Sequence, residues 1–557
     1  MYKLLLPIII AALTAALVYP VAAVLQHGIS PDLWPDSVIK PSAWFHALGA
    51  DPLLIAQTFV DIGRGRSPAF ANGGWSWPIA MTFLPIFTLA FLGRAKREIE
   101  RDPSNIFGSA RFATDAELAA MDHGLEFGLN PRNGRPIRVQ VQGTLVSIAP
   151  PRKGKTAGLI IANLACADAR AWSGPAVVID PKGEVYRAVA ARRRALGRRV
   201  ICVDPFKLVG GADRWNPFGQ LDPSDTLYLL HTARTLLPEP SGRESDDYFR
   251  NRAASLLVGA MLAALLDKRA SLVDVHRLFA TESELLQRLR SIGAGSNPEP
   301  AALAALDILT SDPKTKDPIK NTAGQAFDWL IDRRTRHVVA ADGFQMREIC
   351  GGEVDLFLTL PTEYIEILAP FIRLLLSDLF TAVRRYRPKK RILVFLDEAA
   401  ALGRFKEVLT SAGELPGYGL SLWSFWQTRA QMVMCYGEAG AATIIDAAEM
   451  LTLSDLSGAD PDERERWSRA IGQFTAVVES STQGEGANAK TTKSKASQGV
   501  SLLTKEDLAA MPPDELIVLP NSAAYARHPF VLKKTFAFED PRIKDLVVDV
   551  RPVGSSG

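Results

Sequence analysis

The stretch SIAPPRKGKTAGLIIANL, residues 147–164, ends a hydrophobic run and opens a segment with helical spacing. Gly154, Lys155 and Thr156 fit the end of the phosphate-binding pattern, in which a glycine and any four residues precede Gly-Lys-Ser/Thr. Ala149 stands where that pattern has its first glycine. Alanine adopts many of the same backbone angles when φ is negative. The stretch therefore predicts an α/β fold with a nucleotide site where a strand passes into a helix.

Each residue of this loop has an expected part in holding the nucleotide. Backbone N–H groups and the helix N-terminus would face the β- and γ-phosphates of ATP. Lys155 would reach the same oxygens, and Thr156 would ligate Mg²⁺. The competing interpretation is a chance Gly-Lys-Thr sequence at a strand–helix junction. The predicted nucleotide-binding residues are Pro151, Arg152, Lys153, Gly154, Lys155 and Thr156.

A second stretch, RILVFLDEAAALGRF at 391–405, places Asp397 and Glu398 directly after an apolar run. A buried strand of this kind delivers its following side chains to the carboxyl edge of the sheet, where α/β proteins bind ligands. Asp397 is predicted to hold Mg²⁺ through water, and Glu398 to act as the general base that polarises the attacking water. The alternative is an acidic helix cap that follows a strand.

Two further stretches carry polar residues at strand ends. Gln427 follows LWSFW and is predicted to sense the γ-phosphate or orient water, although a polar residue simply leaving a strand fits equally well. AVVIDPKGE at 176–184 ends with Asp180, Lys182 and Glu184. The basic run at 187–199 fits either a contact with a DNA backbone or a solvated helix face.

The chain beyond residue 100 alternates short apolar runs with longer helical patterns, which indicates a parallel sheet with helical crossovers. Residues 219–345 break this rhythm and are predicted to form an inserted all-α domain. The polar stretch 480–500 is predicted to form a mobile loop. The predicted strands are 144–149, 176–180, 199–204, 353–360, 391–397 and 420–426.

The N-terminal hundred residues contain two uncharged runs, 4–25 and 73–93, each long enough to cross a bilayer. Lys3 precedes the first run, and Arg94, Lys96 and Arg97 follow the second. Positive charge at both outer ends predicts a hairpin with its termini in the cytoplasm and the 26–72 loop in the periplasm. A cleaved signal peptide is the alternative for the first run.

The totals fit several domains: 557 residues with a net charge of only +3. Four widely spaced cysteines without a CxxC pair argue against a zinc site or a disulfide framework. The expected organisation is a first transmembrane segment 1–25, a periplasmic loop 26–72, a second transmembrane helix 73–93, a nucleotide-binding domain in two parts, 94–218 and 346–550, and the all-α insertion 219–345.

Taken together, these features resemble the type IV coupling proteins, the TraG-like ATPases of conjugation and type IV secretion. The resemblance implies a RecA-like P-loop NTPase domain, an inner-membrane anchor, ATP and Mg²⁺ as cofactors, and a homo-hexamer around a channel. It places Lys155, Thr156, Asp397, Glu398 and Gln427 at the nucleotide site. The carrying segments are the two N-terminal runs, APPRKGKT (149–156), VVIDPKGEVY (177–186), DRWNPF (213–218), FLDEAAALGRF (395–405), GYGLSLWSFWQ (417–427) and LLTKEDLAAMPPDELIVL (502–519).

The resemblance further implies that the chain recruits a relaxase–DNA complex, protein substrates, or both, to a type IV secretion channel and drives their transfer by ATP hydrolysis. Such proteins bind single-stranded DNA, and some have an arginine that acts across the subunit interface; Arg404 and Arg373 are the candidates here. Two alternatives stay open. One is a membrane docking receptor that hydrolyses little ATP, and the other is a septal-type translocase of double-stranded DNA.

Overall fold

The computed structural model describes residues 52–66, 75–76, 78–79, 100–219, 221–239, 244–267, 271–294, 298–456, 459–483, 491–521 and 526–551. The chain divides into two compact units. The first comprises Met1–Asp102 and Ala476–Gln498, and the second comprises Pro103–Thr475 and Gly499–Gly557. Every predicted nucleotide-site residue lies in the second unit.

A sheet of eleven strands runs through the second unit in the order β2-β1-β13-β12-β9-β3-β8-β7-β4-β6-β5. The seven strands from β9 to β5 are parallel, and the four from β2 to β12 are antiparallel. The strands of the described residues are β1 (Leu125–Leu129), β2 (Pro136–Val139), β3 (Thr144–Ile148), β4 (Ala176–Ile179), β5 (Arg199–Val203), β6 (Val354–Leu358), β7 (Ile392–Leu396), β8 (Leu420–Trp426), β9 (Ala448–Leu453), β10 (Gln473–Gln483), β11 (Thr491–Ser501), β12 (Glu515–Pro520) and β13 (Phe530–Lys533).

The parallel part contains all six strands that the sequence predicts. Strands β3, β4, β6, β7 and β8 are buried along their whole length, as expected for strands covered on both faces. Strand β9 was not predicted because Glu449 and Thr452 interrupt its apolar run. The structure buries Glu449 by letting its carboxylate accept hydrogen bonds from the backbone amides of Gln142, at 2.8 Å, and Gly143.

The helix Pro52–Gly63 belongs to the first unit, and the helices of the second unit cover both sides of its sheet. The bounds of the helices are Pro52–Gly63, Asp115–Ala119, Thr156–Ile161 continuing as Ala162–Leu164, Glu184–Ala195, Thr226–Leu236, Glu244–Leu265, Leu272–Ala280, Glu282–Gly293, Pro300–Thr310, Pro313–Gly324, Arg333–Val339, Met346–Cys350, Ile365–Tyr386, Lys406–Ser411, Arg429–Asp446, Pro461–Ile471 and Lys505–Ala509, with 3-10 turns at Gln325–Ile331, Thr362–Tyr364, Ala399–Leu402 and Leu415–Tyr418.

The described residues between β5 and β6 form helices and 3-10 turns, with no strand among them. The long helix Glu244–Leu265 lies at their centre, with Leu256, Leu257 and Met261 fully buried. These side chains join one continuous apolar core with Val146 of β3 and other residues on one face of the sheet. The domain boundaries at 219 and 345 stay a prediction.

The DRWNPF stretch is used in packing this helical segment. Trp215 is fully buried, and its indole Nε1 donates a hydrogen bond to Oδ2 of Asp378 at 3.0 Å. The hydroxyl of Tyr228 donates to Oδ1 of the same carboxylate at 3.1 Å. Asp378 therefore joins the loop after β5, the helix Thr226–Leu236 and its own helix, Ile365–Tyr386.

Both predicted membrane spans fall outside the described residues, apart from Trp75, Ser76, Pro78 and Ile79 of the second. Within the part of the chain that is described, no helix has the length and apolar character needed to cross a bilayer. The helix Pro52–Gly63 lies inside the predicted periplasmic loop.

The prediction of a mobile loop at 480–500 is wrong for the residues described there. Strands β10 and β11 pair with each other in a separate two-stranded sheet. Polarity led to the loop prediction, but both strands contain threonine, and threonine favours extended backbone.

Candidate functional site

Four neighbouring strands of the sheet, β3, β8, β7 and β4, end at one edge. The pairing aligns Ile148 with Trp426 between β3 and β8, and Leu396 with Ser424 between β7 and β8. The phosphate loop, Gln427 and the Asp397–Glu398 pair therefore follow adjacent strands at their carboxyl ends. This is the edge at which parallel α/β sheets bind ligands.

The backbone of the loop shows where a glycine is required. Gly154 has a φ of 80°, and Arg152 has a φ of 60°, so both occupy the left-handed region. Ala149 is not among the residues with positive φ, and its amide donates a hydrogen bond to the Trp426 carbonyl at 3.0 Å. The alanine at the first position of the pattern is therefore accommodated without left-handed strain.

The side chain of Lys155 contacts backbone carbonyls, whereas that of Thr156 contacts a carboxylate. The Lys155 ammonium donates to the Ala149 carbonyl at 2.6 Å and lies 3.4 Å from the Trp426 carbonyl. Burial lowers the pKa of Lys155, while the charges of Glu398 and Asp397 oppose that shift. The Thr156 hydroxyl lies 3.0 Å from each carboxylate oxygen of Asp397. Thr156 also opens the helix, whose first turns are wide and π-helical.

The carboxylates of β7 differ in their surroundings. Burial raises the pKa of Asp397 to about 6, and the neighbouring charge of Glu398 acts in the same direction, whereas the Thr156 hydrogen bond opposes it. A bound divalent cation favours the ionised form of such a carboxyl. Glu398 is half-buried, and its Oε2 lies 3.5 Å from the side-chain nitrogen of Gln427.

The donor set at this edge fits Mg²⁺. Magnesium keeps several waters and uses one or two carboxylates together with phosphate oxygens, so a complete protein cage is not needed. Thr156 and Asp397 supply a hydroxyl and a carboxylate within hydrogen-bonding distance of each other. Among the residues that the structure describes, no group of three or more His, Cys, Asp or Glu side chains converges as a metal cage.

A segment after β13, which no sequence motif indicates, contacts the phosphate loop. A Cβ atom on Gly158 would lie 2.7 Å from the Thr535 carbonyl oxygen, and one on Gly154 would lie 3.3 Å from the Phe536 ring. No local pattern connects these residues with a loop almost four hundred positions earlier. The LLTKEDLAAMPPDELIVL stretch comes nearest to them in the sequence, but it ends within β12, at Leu519.

Asp455, after β9, forms a second contact with the loop. Its Oδ1 lies 3.1 Å from the ammonium of Lys153, and its Oδ2 pairs with Lys534. Lys153 is 42% exposed at its side chain, whereas Lys534 is 5% exposed and Asp455 is 9% exposed. Pro151 and Arg152 are also exposed, so this side of the loop faces solvent.

The two arginines considered for a role across a subunit interface lie in different environments. Arg373 is 8% exposed within the helix Ile365–Tyr386, and burial lowers its pKa. Arg404 is exposed just after the turn Ala399–Leu402 that follows the two carboxylates. Of these two side chains, only Arg404 is accessible to a second molecule in this conformation.

The basic run at 187–199 serves mainly inside the chain. Arg193 and Arg198 both donate to the buried carboxylate of Asp355, at 2.7 and 2.8 Å, and Arg192 donates to the carbonyls of Ala165 and Cys166. Arg193 therefore ties the helix Glu184–Ala195 to β6, and Arg192 ties it to the residues after the phosphate-loop helix, whereas Arg198 fixes the segment that follows the helix. A contact of the whole run with DNA would require those bonds to break.

Comparisons with known proteins find relatives among conjugal transfer and type IV secretion coupling proteins. The conjugal transfer protein TraG of Rhizobium radiobacter is 25% identical over 62% of this chain and 56% of its own length. The type IV secretion system-coupling protein VirD4 of Bartonella henselae is 26% identical over 62% of this chain and 57% of its own. The chain thus spans little more than half the length of the curated relatives it matches.

Solved structures of the conjugative coupling protein TrwB share the fold. The unbound form superimposes with a TM-score of 0.56 at 18% identity, over 79% of this chain and 98% of that one. A complex of TrwB with ADP and Mg²⁺ gives a TM-score of 0.54 over 78% of this chain. The prediction of a RecA-like α/β domain is therefore confirmed, with a larger mixed sheet than expected.

The family described as type IV secretory system conjugative DNA transfer matches residues 128–555, which include the phosphate loop and the strand β7 with Asp397 and Glu398 after it. With this match over most of its length, the chain belongs to that family of type IV coupling proteins.

Proposed function

We propose that the protein is an ATPase of the coupling-protein type, which recruits a relaxase–DNA complex, protein substrates, or both, to a type IV secretion channel and drives their transfer by ATP hydrolysis. The observation that carries this proposal is the meeting of Lys155, Thr156, Asp397, Glu398 and Gln427 at the carboxyl ends of adjacent strands. A phosphate loop alone serves many functions, but a loop next to two carboxylates and a glutamine fits hydrolysis.

The side chains divide the work of hydrolysis by position. Lys155 leaves the Ala149 and Trp426 carbonyls and contacts the β- and γ-phosphates, where its charge stabilises the transition state. Thr156 and Asp397 would hold Mg²⁺, which would supply positive charge to the phosphate oxygens. Glu398 accepts the proton of the attacking water, and Gln427, 3.5 Å from Glu398, orients that water.

The surrounding organisation is proposed on the family membership and the sequence pattern. The two uncharged runs anchor the chain in the bacterial inner membrane, with most of its residues in the cytoplasm. The helical segment 219–345 forms an insertion that receives substrates. The active form is a homo-hexamer, in which the exposed Arg404 approaches the site of a neighbouring copy and single-stranded DNA is bound mainly through its phosphates.

The test is ATP turnover by the full chain in detergent, with and without single-stranded DNA. We expect DNA-stimulated hydrolysis that is lost in Lys155→Ala and in Glu398→Gln, the latter with nucleotide binding retained because Glu398 acts on water. Lys207→Ala is a matched control, since Lys207 lies after β5 and donates to the Gly211 carbonyl, away from the loop. Equal turnover in all variants would contradict the proposal.

A docking receptor with little hydrolysis is the second candidate. It is favoured by the position of the Lys155 ammonium, which is already satisfied by two carbonyls at the strand ends. Nucleotide binding without turnover, at every DNA and protein concentration, would support the receptor. Stimulation by double-stranded DNA alone would instead indicate the septal-type translocase.

A further inference from the structure

Asp180 lies at the same edge of the sheet and has no part in the hydrolysis described so far. It follows the last residue of β4, and β4 pairs in parallel with β7 so that Ile179 is aligned with Leu396. The next residues in this register are Asp180 and Asp397. Two carboxylates on neighbouring strands therefore leave the sheet side by side.

The carboxyl group of Asp180 is almost completely buried, with 1% of the residue exposed. Its Oδ2 accepts a hydrogen bond from the Tyr186 amide at 2.9 Å, while its Oδ1 has no hydrogen-bond partner among the described residues. A buried carboxylate oxygen without a donor is costly, and such atoms in native proteins call for an explanation.

A structural role explains only half of this side chain. The bond to the Tyr186 amide caps the first turn of the helix Glu184–Ala195, which one oxygen of a serine or an asparagine would also do. It accounts for Oδ2 and leaves Oδ1 unexplained. It also gives no reason to place a second negative charge beside Asp397.

The local charges indicate what Oδ1 would accept. Burial raises the pKa of Asp180 to about 7, and the charges of Asp397 and Glu184 act in the same direction, with Arg187 opposing them. Lys155 and Lys182 are the other cations near this edge. A divalent cation with its bound waters supplies both positive charge and O–H donors to such an oxygen.

We propose that Asp180 is a positioning residue of the magnesium site, whose Oδ1 accepts a hydrogen bond from a water bound to the ion held by Thr156 and Asp397. This assignment rests on the proposed function, because it requires nucleotide and Mg²⁺ at the edge of the sheet. It agrees with the lack of a three-residue metal cage among the described residues, since a partner of a bound water lies outside the inner ligands. Partners of this kind orient metal ligands, and their loss weakens metal binding by about 10- to 100-fold.

The experiment measures the affinity of the full chain for a fluorescent, non-hydrolysable ATP analogue, with saturating Mg²⁺ and again in EDTA. The ratio of the two affinities reports the coupling between the ion and the nucleotide without any turnover. In Asp180→Asn we expect the ratio to fall about 10- to 100-fold while the affinity in EDTA is unchanged. Asp180→Ser keeps an acceptor for the Tyr186 amide, and we expect the same fall in the ratio as for Asp180→Asn. Asp378→Asn, an aspartate remote from the loop, should keep the original ratio.

The remaining outcomes separate this assignment from the proposed function. An unchanged ratio in Asp180→Asn and Asp180→Ser, or an equal loss of affinity with and without Mg²⁺, would overturn the role of Asp180 and leave the ATPase proposal standing. Two outcomes would overturn the proposed function and the role of Asp180 with it. In one, the unsubstituted chain binds no analogue under either condition. In the other, Lys155→Ala binds the analogue with the same affinity as the unsubstituted chain.

Discussion

Gly158 shows how closely the phosphate-loop helix approaches the end of the sheet. In most helices a glycine is unfavourable, and replacing it by alanine stabilises the helix by up to about 1 kcal/mol. At Gly158, however, a Cβ atom would meet the backbone carbonyl of Thr535 at 2.7 Å, which cannot rotate away. Steric conflict therefore outweighs helix propensity at this position.

We predict that Gly158→Ala lowers the stability of the protein by about 1–3 kcal/mol, the usual cost of an overpacked core. Gly324→Ala is the matched control, because Gly324 ends the helix Pro313–Gly324 with a φ of −59° and open space around the added methyl group. It should leave stability unchanged or raise it. Midpoints of thermal unfolding compare the variants, and a higher midpoint for Gly158→Ala would contradict the prediction.

The site residues that the sequence predicts are those that follow a strand directly. Lys155, Thr156, Asp397, Glu398 and Gln427 all come within eight positions of a strand end, where the fold fixes their place. Thr535, Phe536 and Asp455 were missed because their contacts depend on the pairing of distant strands. A local pattern cannot predict a contact that tertiary packing alone creates.

At the scale of elements, Asp378 links two helices and a loop through a carboxyl group with a displaced pKa. Burial raises this pKa to about 6, although the hydrogen bonds from Trp215 and Tyr228 oppose the shift. The unfolded chain releases the proton near pH 4, so between pH 4 and 6 the folded chain binds more protons. Stability therefore falls as the pH rises through this window.

We predict that Asp378→Asn removes this part of the pH dependence. Relative to the unsubstituted protein, the variant should gain stability as the pH rises from 4 to 6, on the order of 2 kcal/mol in total, and the difference should be constant above pH 7. Thermal unfolding across the pH range provides the measurement. Parallel pH profiles for the two proteins would show that Asp378 titrates normally.

Asp455 forms two ion pairs, one with Lys153 of the phosphate loop and one with Lys534 after β13, and the two differ in burial. Asp455→Ala leaves the buried ammonium of Lys534 without its carboxylate, and we predict a loss of about 3–5 kcal/mol. Lys153→Ala removes only the solvent-exposed partner and should cost less than about 1 kcal/mol. Urea unfolding of both variants tests this order, and equal losses would contradict it.

For a related reason, the sequence pattern does not predict β9 or the four antiparallel strands. The six predicted strands have continuous apolar runs because both of their faces are covered. Strand β9 carries a buried glutamate, and β1, β2, β12 and β13 form the antiparallel end of the sheet, where β2 begins with a proline and β13 ends with an exposed lysine. Short, mixed patterns of this kind do not distinguish a strand from a turn.

At the scale of the whole molecule, the membrane hairpin stays a prediction that a fusion experiment can decide. A reporter active only in the periplasm, fused after Gly93, should be inactive, because the second uncharged run returns the chain to the cytoplasm at this point. The same reporter fused after Gly65 should be active. Activity after Gly93 would contradict the hairpin, and inactivity at both points would show that the first run does not cross the membrane.

The contact between the phosphate loop and Thr535 has a consequence for biosynthesis. About 380 residues separate Thr156 from Thr535, so at typical rates of translation the loop exists for on the order of 20–80 s before its support is synthesised. For most of that time the nascent chain lacks β12, β13 and Lys534, and once Asp455 is synthesised it waits for its buried partner. Nucleotide affinity would therefore emerge late, after the rest of the sheet has formed, and a ribosome stalled before Phe530 would carry a folded but unsupported loop.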